Sequence, residues 1–334
     1  MQLTTDVFHQ FAETTVEKLV QVDTSIIAAY QCGSTVLAGN PLLGGTTDVD
    51  IVLIHTREPQ LEREILRLTE DVHLDICHHA QEIYRQGREL RVHPWMGPTL
   101  NNAKPLYDPR HFLDFTQASV RGLFQRADYK IQRSQALLQE ARQTWLGLQA
   151  LTAAVDPNIL TSYLKAIENA VNALAILEGE PLTTRRFLLD FSQRAETLGH
   201  SRLQMGVLGL LGAHRVEGEQ IQAWLPAWNE TYEAIPDESR PAELHSYRKD
   251  YYERAFEAMA GSHESKALLW PLLVTWTLAA SALSTSNPAY QGWREACQQL
   301  ELLTSDFTEK VAALDAFLDQ VDEVLAQWEQ EYGF

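Results

Sequence analysis

Cys32-Gly33-Ser34 and, across a loop, Gly44-Gly45-Thr46-Thr47-Asp48-Val49-Asp50-Ile51-Val52-Leu53-Ile54 form the stretch that decides the fold. The short apolar runs 26–30 and 51–54 are bounded by turn residues, so each reads as a buried strand. Gly33-Ser34 then closes the first strand. Side chains two apart on a strand share a face, which sets Asp48 beside Asp50. Carboxylates so placed repel each other, and a divalent cation relieves the repulsion.

Val72-His73-Leu74-Asp75-Ile76-Cys77 alternates as another strand. If it neighbours the first Asp strand, Asp75 joins the pair. Asp-x-Asp alone is common on strands, and Gly-Ser alone marks ordinary turns. The ordered set is more specific: Gly-Ser, then Asp-x-Asp running into an apolar strand, then a lone Asp inside a later strand. It resembles the DNA polymerase β type nucleotidyltransferase superfamily, and within it the small bacterial aminoglycoside and lincosamide nucleotidyltransferases. The resemblance covers roughly the first third of the chain.

The resemblance implies that Gly33 and Ser34 hold the β and γ phosphates of a nucleoside triphosphate, with ATP as the expected co-substrate. It implies that Asp48 and Asp50 ligate two Mg2+ ions, and that Asp75 ligates the metal that activates an acceptor hydroxyl and helps remove its proton. Such an arrangement suits in-line displacement with release of pyrophosphate. Two features depart from the family. The spacer 35–47 is a few residues longer than usual, and it lacks the Arg or Lys often found after Gly-Ser, so phosphate charge must be met elsewhere. The family draws such cations from its helical domain, where Lys130 and Lys165 are the candidates, against the plainer reading of surface lysines. Glu168 is a candidate auxiliary base.

Other constellations weigh less. His73, Asp75 and Cys77 share a strand face, but no Cys/His pair has zinc-site spacing. Arg240-Pro241-Ala242-Glu243-Leu244-His245-Ser246-Tyr247 matches the R-x4-H-x-Y pattern of HEPN ribonuclease toxins, with a proline where its helix should begin. The pattern keeps open an alternative class, a fused toxin and antitoxin module or a protein-modifying regulatory transferase.

The length of 334 residues favours two domains, and 27 Lys and Arg against 45 Asp and Glu give a net charge of −18. So acidic a chain argues against binding a nucleic-acid backbone and suits a neutral or cationic small acceptor. The three cysteines have no framework spacing, which favours a reducing cytoplasm. Residues 1–6 show no signal-peptide pattern, and the uncharged run 267–283, with Pro271, is short for a membrane span and reads as a buried helix. No oligomer is implied.

The expected architecture is an α/β nucleotidyltransferase domain over 1–109, a small mixed sheet with helices, followed by an all-α helical bundle domain over 110–334. In the first, helices are expected from the capping residues Thr4-Thr5-Asp6 to about Val22 and over 59–71 and 80–90, with Glu62, Arg63, Glu64 and Arg67 on a solvated face, and a last strand near 104–109. In the second, 3.6-residue periodicity predicts helices near 111–126, 128–153, 158–178, 184–198, 202–212, 216–233, 242–260, 265–284, 289–303 and 305–330. Phe307, Val311, Leu314, Leu318, Val321, Leu325 and Trp328 make a heptad seam expected to pack within the chain.

Overall fold

A computed structural model describes residues 4–37, 39, 41–151, 153–262, 264–303 and 307–333. The start of the N-terminal segment, parts of the 35–47 spacer and the first residues of the last expected helix lie outside these. The chain forms two compact units, Met1–Tyr129 with His245–Ala255, and Lys130–Leu244 with Phe256–Phe334.

The first unit is built on a five-stranded mixed sheet. Its strands are β1 (Ile26–Cys32), β2 (Thr47–His55), β3 (Arg63–Arg67), β4 (Val72–Ala80) and β5 (Lys104–Tyr107), in the order β3-β4-β2-β1-β5. Only β2 and β4 are parallel. Helix α1 (Thr5–Val22), capped by the Thr4 hydroxyl on the Val7 amide, lays Phe8, Ala12 and Val16 on one sheet face against Val49, Ile51, Leu53, Leu74 and Ile76. The opposite face, with Tyr30, Cys32, Val52 and Ile54, is covered by α2 (Gly87–Val92), α3 (Met96–Asn102) and α4 (Phe112–Arg121), through Leu90, Leu100, Leu113 and Val120. That packing keeps the chain beyond residue 109 in the first unit. Strand alternation therefore puts Asp48, Asp50 and Asp75 on the α2–α4 side, because their neighbours Val49, Ile51, Leu74 and Ile76 face α1.

Two local expectations are corrected. The segment 59–71 contains strand β3, hairpinned to β4 with Ile65 opposite Asp75, not a helix. The charges and spaced leucines suggested an amphipathic helix, yet Leu61 and Leu66 are exposed and only Ile65 is buried among the strand's residues. Thr69 makes the turn, its hydroxyl accepting from the amides of Asp71 and Val72. Over 80–90, β4 runs on to Ala80 and a 3-10 turn, Gln81–Tyr84, precedes α2.

The described part of the second unit is helical. It includes α6 (Pro157–Ala175), α7 (Phe187–Thr197), α8 (Arg202–Leu210), α9 (Gly218–Ala223), α10 (Leu225–Glu233), α12 (Leu269–Ser281), α13 (Tyr290–Gln299) and α14 (Phe307–Tyr332), while α5 (Ala127–Gln149) and α11 (Lys249–Ala260) span the unit boundaries. Asp156 caps α6 through the Ile159 amide with Pro157 at the first helical position, and α6 packs against α12 and α14. Helix α12 is buried nearly all round, and the heptad seam of α14 is buried within the chain. The helix expected over 216–233 is split at Trp224, ahead of Pro226, into α9 and α10. The helix expected from 242 starts only at Lys249, after two 3-10 turns, Ala242–Leu244 and Ser246–Arg248. No described helix is long and apolar enough to cross a membrane.

Candidate metal centre

Asp48 and Asp50 stand near the start of β2 and Asp75 within β4, where the parallel register sets Asp50 directly against Asp75. One carboxylate oxygen from each of the three lies within 4.8 Å of the others. Asp48 and Asp75 are buried and Asp50 keeps part of its surface exposed. Withdrawal from water, then the charges of Asp48 and Asp75, push the Asp50 carboxyl well above the usual carboxylate range, while Arg248 and Arg63 pull the other way.

Gly33 follows β1, whose Cys32 pairs with Asp50. Its φ of +73° is left-handed, and a Cβ there would fall 1.8 Å from Asp50 Oδ2. Only glycine fits this turn. Ser34 opens a 3-10 turn, Ser34–Val36, directly after it. Lys130 and Lys165 both belong to the second unit. There Lys130 Nζ donates to the Leu177 carbonyl at 3.0 Å, and Lys165 Nζ lies 2.7 Å from Glu168 Oε2.

The sequence reading missed two arginines at the triad. Arg63, assigned to a solvated helix face, lies on β3 and grips Asp75 with both ends of its fork, Nε to Oδ1 at 2.7 Å and Nη2 to Oδ2 at 2.5 Å. Arg248 closes the 3-10 turn Ser246–Arg248 and donates from Nη1 to Asp75 Oδ2 and from Nη2 to Asp48 Oδ2, each at 3.0 Å. Burial opposes its charge, but Tyr252, Asp48, Tyr251 and Asp75 outweigh that and hold the guanidinium firmly protonated. The rings of Tyr251 and Tyr252 lie 5.3 and 5.9 Å from its central carbon.

The segment carrying Arg248 is fastened within the first unit. Arg254 pairs with Asp71, the Thr46 hydroxyl reaches the Tyr251 carbonyl at 3.5 Å, and Tyr251 meets the His73 ring edge to face. Gly44 makes the close approach possible, since a Cβ there would sit 2.1 Å from the Arg254 carbonyl oxygen. The signal for Arg63 was the Thr69 turn, which reads as a hairpin once the exposed leucines are set aside. For Arg248 there was no local signal, because its partners lie some two hundred positions earlier.

At the other end of β2 and β4, His55 Nε2 and His78 Nδ1 are hydrogen-bonded at 3.0 Å, with Ser25 on His55 and Glu64 on His78. Cys77 is part-buried and His73 is occupied by Tyr251, so the His73, Asp75, Cys77 face forms no compact ligand set; among the described residues the Asp triad is the one such group. Comparison with models of known protein families and with curated proteins gives no significant match.

Proposed function

We propose that the first unit is a metal-dependent nucleotidyltransferase that moves a nucleoside monophosphate from a nucleoside triphosphate, ATP, to a hydroxyl of a small molecule, with release of pyrophosphate. The observation that carries the reading is the convergence of Asp48, Asp50 and Asp75 oxygens within 4.8 Å on two adjacent parallel strands. The donor set fits Mg2+: all ligands are hard carboxylate oxygens, and the triad's excess negative charge is only partly met by Arg63 and Arg248. Held by Asp48, Asp50 and Asp75, the ions would supply charge neutralisation for the triphosphate and a more acidic acceptor hydroxyl.

The chain's own residues do the rest. Gly33, with no side chain, lets the Asp50 carboxylate pack against the turn that, by the resemblance, holds the phosphates with Ser34. Arg63 fixes the orientation of Asp75. Arg63 and Arg248 bring to the site the positive charge that the spacer 35–47 lacks, a role the sequence offered to Lys130 and Lys165. In the transfer, the acceptor oxygen bonds to the α-phosphorus as the bond from that phosphorus to the β-bridging oxygen breaks. The hydroxyl proton passes to a carboxylate of the triad, the role that the resemblance gives to Asp75.

The R-x4-H-x-Y segment supports no second reading. Arg240 donates to the carbonyls of Tyr232, Ile235 and Leu244, a structural role, and the segment is broken into 3-10 turns. Incubation with each labelled nucleoside triphosphate, Mg2+ and a panel of hydroxylated compounds, cationic ones included, tests the proposal through pyrophosphate release. Absence of release across the panel, with no label on protein, would overturn it.

A further inference from the structure

Asp75 is 2% exposed and its carboxylate already accepts three hydrogen bonds, two from Arg63 and one from Arg248. A carboxylate offers about four acceptor sites, so little of Asp75 is left for anything else. Asp48 Oδ2 is likewise turned to Arg248. A cation that draws on both Asp48 and Asp75 meets Arg248 first.

The two arginines are not held alike. Arg63 is bidentate and stands on β3, hydrogen-bonded along β4. Arg248 has one hydrogen bond to each of two carboxylates and comes from a short turn. Its Nε, in a side chain 6% exposed as a residue, has no hydrogen-bond partner. A buried N–H without a partner is a penalty paid for as long as the guanidinium stays where it is. Arg248 is therefore the one of the two with an unmet donor to recover on moving, set against its contacts with Tyr251 and Tyr252.

We infer that Arg248 is an exchangeable internal counter-ion which governs the loading of cations into the triad: it bridges Asp48 and Asp75 in the resting protein and must withdraw before a divalent ion can engage all three carboxylates. The inference rests on reading the triad as a divalent-cation site. Its effect is to weaken capture of free metal while keeping the carboxylates paired. Two positive charges on the same Asp48 and Asp75 oxygens repel each other, so Arg248 and the ion compete for them.

The test is Mn2+ titration of the full chain without nucleotide, followed by electron paramagnetic resonance and calorimetry, for the parent, Arg248→Met, Arg248→Lys and the control Asp50→Asn. Expected is Mn2+ affinity at least tenfold higher in Arg248→Met, a smaller rise in Arg248→Lys, whose single ammonium bridges two carboxylates poorly, and loss of binding in Asp50→Asn. Thermal melts should show Arg248→Met less stable than the parent in chelator and recovering most of the deficit in Mn2+. A merely structural arginine would not give that recovery. Equal or weaker Mn2+ affinity in both Arg248 variants, with Asp50-dependent binding retained, overturns the exchange and leaves the metal site standing. If no protein binds Mn2+ in an Asp50-dependent way, the reading of the triad itself fails together with the inference. Should Arg248→Met not fold, the Arg248→Lys comparison decides alone.

Discussion

Gly33 and Asp50 are packed so closely that a methyl group on the glycine would lie 1.8 Å from the Asp50 carboxylate oxygen, on a backbone already at φ +73°. Gly33→Ala therefore meets two penalties. The left-handed backbone alone costs about 1–2 kcal/mol, and Asp50 must move as well. Urea unfolding should show at least this loss, and Mn2+ titration should show weakened binding. A Gly33→Ala variant with unchanged stability and unchanged metal affinity would contradict the close approach.

Asp48→Asn and Asp50→Asn remove charge while keeping shape, and each should abolish nucleotidyl transfer with the circular dichroism spectrum preserved. Removal of the Asp50 charge relieves repulsion from its two neighbours, and Asp48→Asn keeps an amide oxygen for Arg248 to donate to, so neither change should unfold the protein. Full transfer activity in Asp48→Asn would rule out its role as a ligand.

Asp75 behaves differently. Arg63 and Arg248 both converge on it, and Arg248 is buried. Asp75→Ala takes both carboxylate hydrogen bonds from Arg63 and one of two from the buried Arg248, which keeps Asp48, so the loss should fall toward the lower end of the about 3–5 kcal/mol that breaking a buried pair from one side costs. Chemical denaturation should show a loss of that order in the first unit, larger than for Asp50→Asn. Equal stabilities would mean that the arginines are not held by Asp75.

The pH dependence of stability should carry the mark of His55 and His79. Burial, and then the neighbouring His78, lower both below the ordinary 6.5, with Asp23 partly offsetting the shift at His55. The unfolded chain takes up these protons first. Stability is therefore intact above 6.5 and is lost as pH falls from 6.5 toward the lowered folded values. Melting temperatures measured from pH 8 down to about pH 5 should fall over the acid half of that range, and His55→Gln should make the fall shallower. A slope unaffected by that substitution would remove His55 from the account.

In the second unit three tryptophans place their indole N–H groups on threonine hydroxyls: Trp228 on Thr275, Trp276 on Thr231 and Trp293 on Thr277. Thr231 is fully buried, and its hydroxyl also lies 2.8 Å from the carbonyls of Ala227 and Ala289. Thr231→Val keeps the shape and leaves the Trp276 donor unmet, which should cost about 1–3 kcal/mol. The change should leave nucleotidyl transfer intact at temperatures where the variant remains folded.

Local pattern sufficed where the chain's own periodicity sets the structure. The strands around Asp48, Asp50 and Asp75, the glycine turn at Gly33, the capped start of α6 at Asp156-Pro157 and the buried seam of α14 are all written in residues a few positions apart. Even the meeting of Asp50 with Asp75 needed only that two recognised strands be neighbours. Where spacing fitted two periods, sequence chose wrongly: the charge-rich segment 59–71 read as a helix, and the pairing of β3 with β4 overrode it because it buries Ile65 and brings Arg63 onto Asp75. Arg248 lay beyond any such reading. Its position depends on Gly44 admitting the Arg254 backbone, on Arg254 reaching Asp71 and on Tyr251 meeting His73, contacts between segments far apart in the chain. Sequence thus determined which carboxylates gather, since side-chain alternation is a local property of a strand. Tertiary structure alone decided which cations answer them, because a charge finds its partner through space.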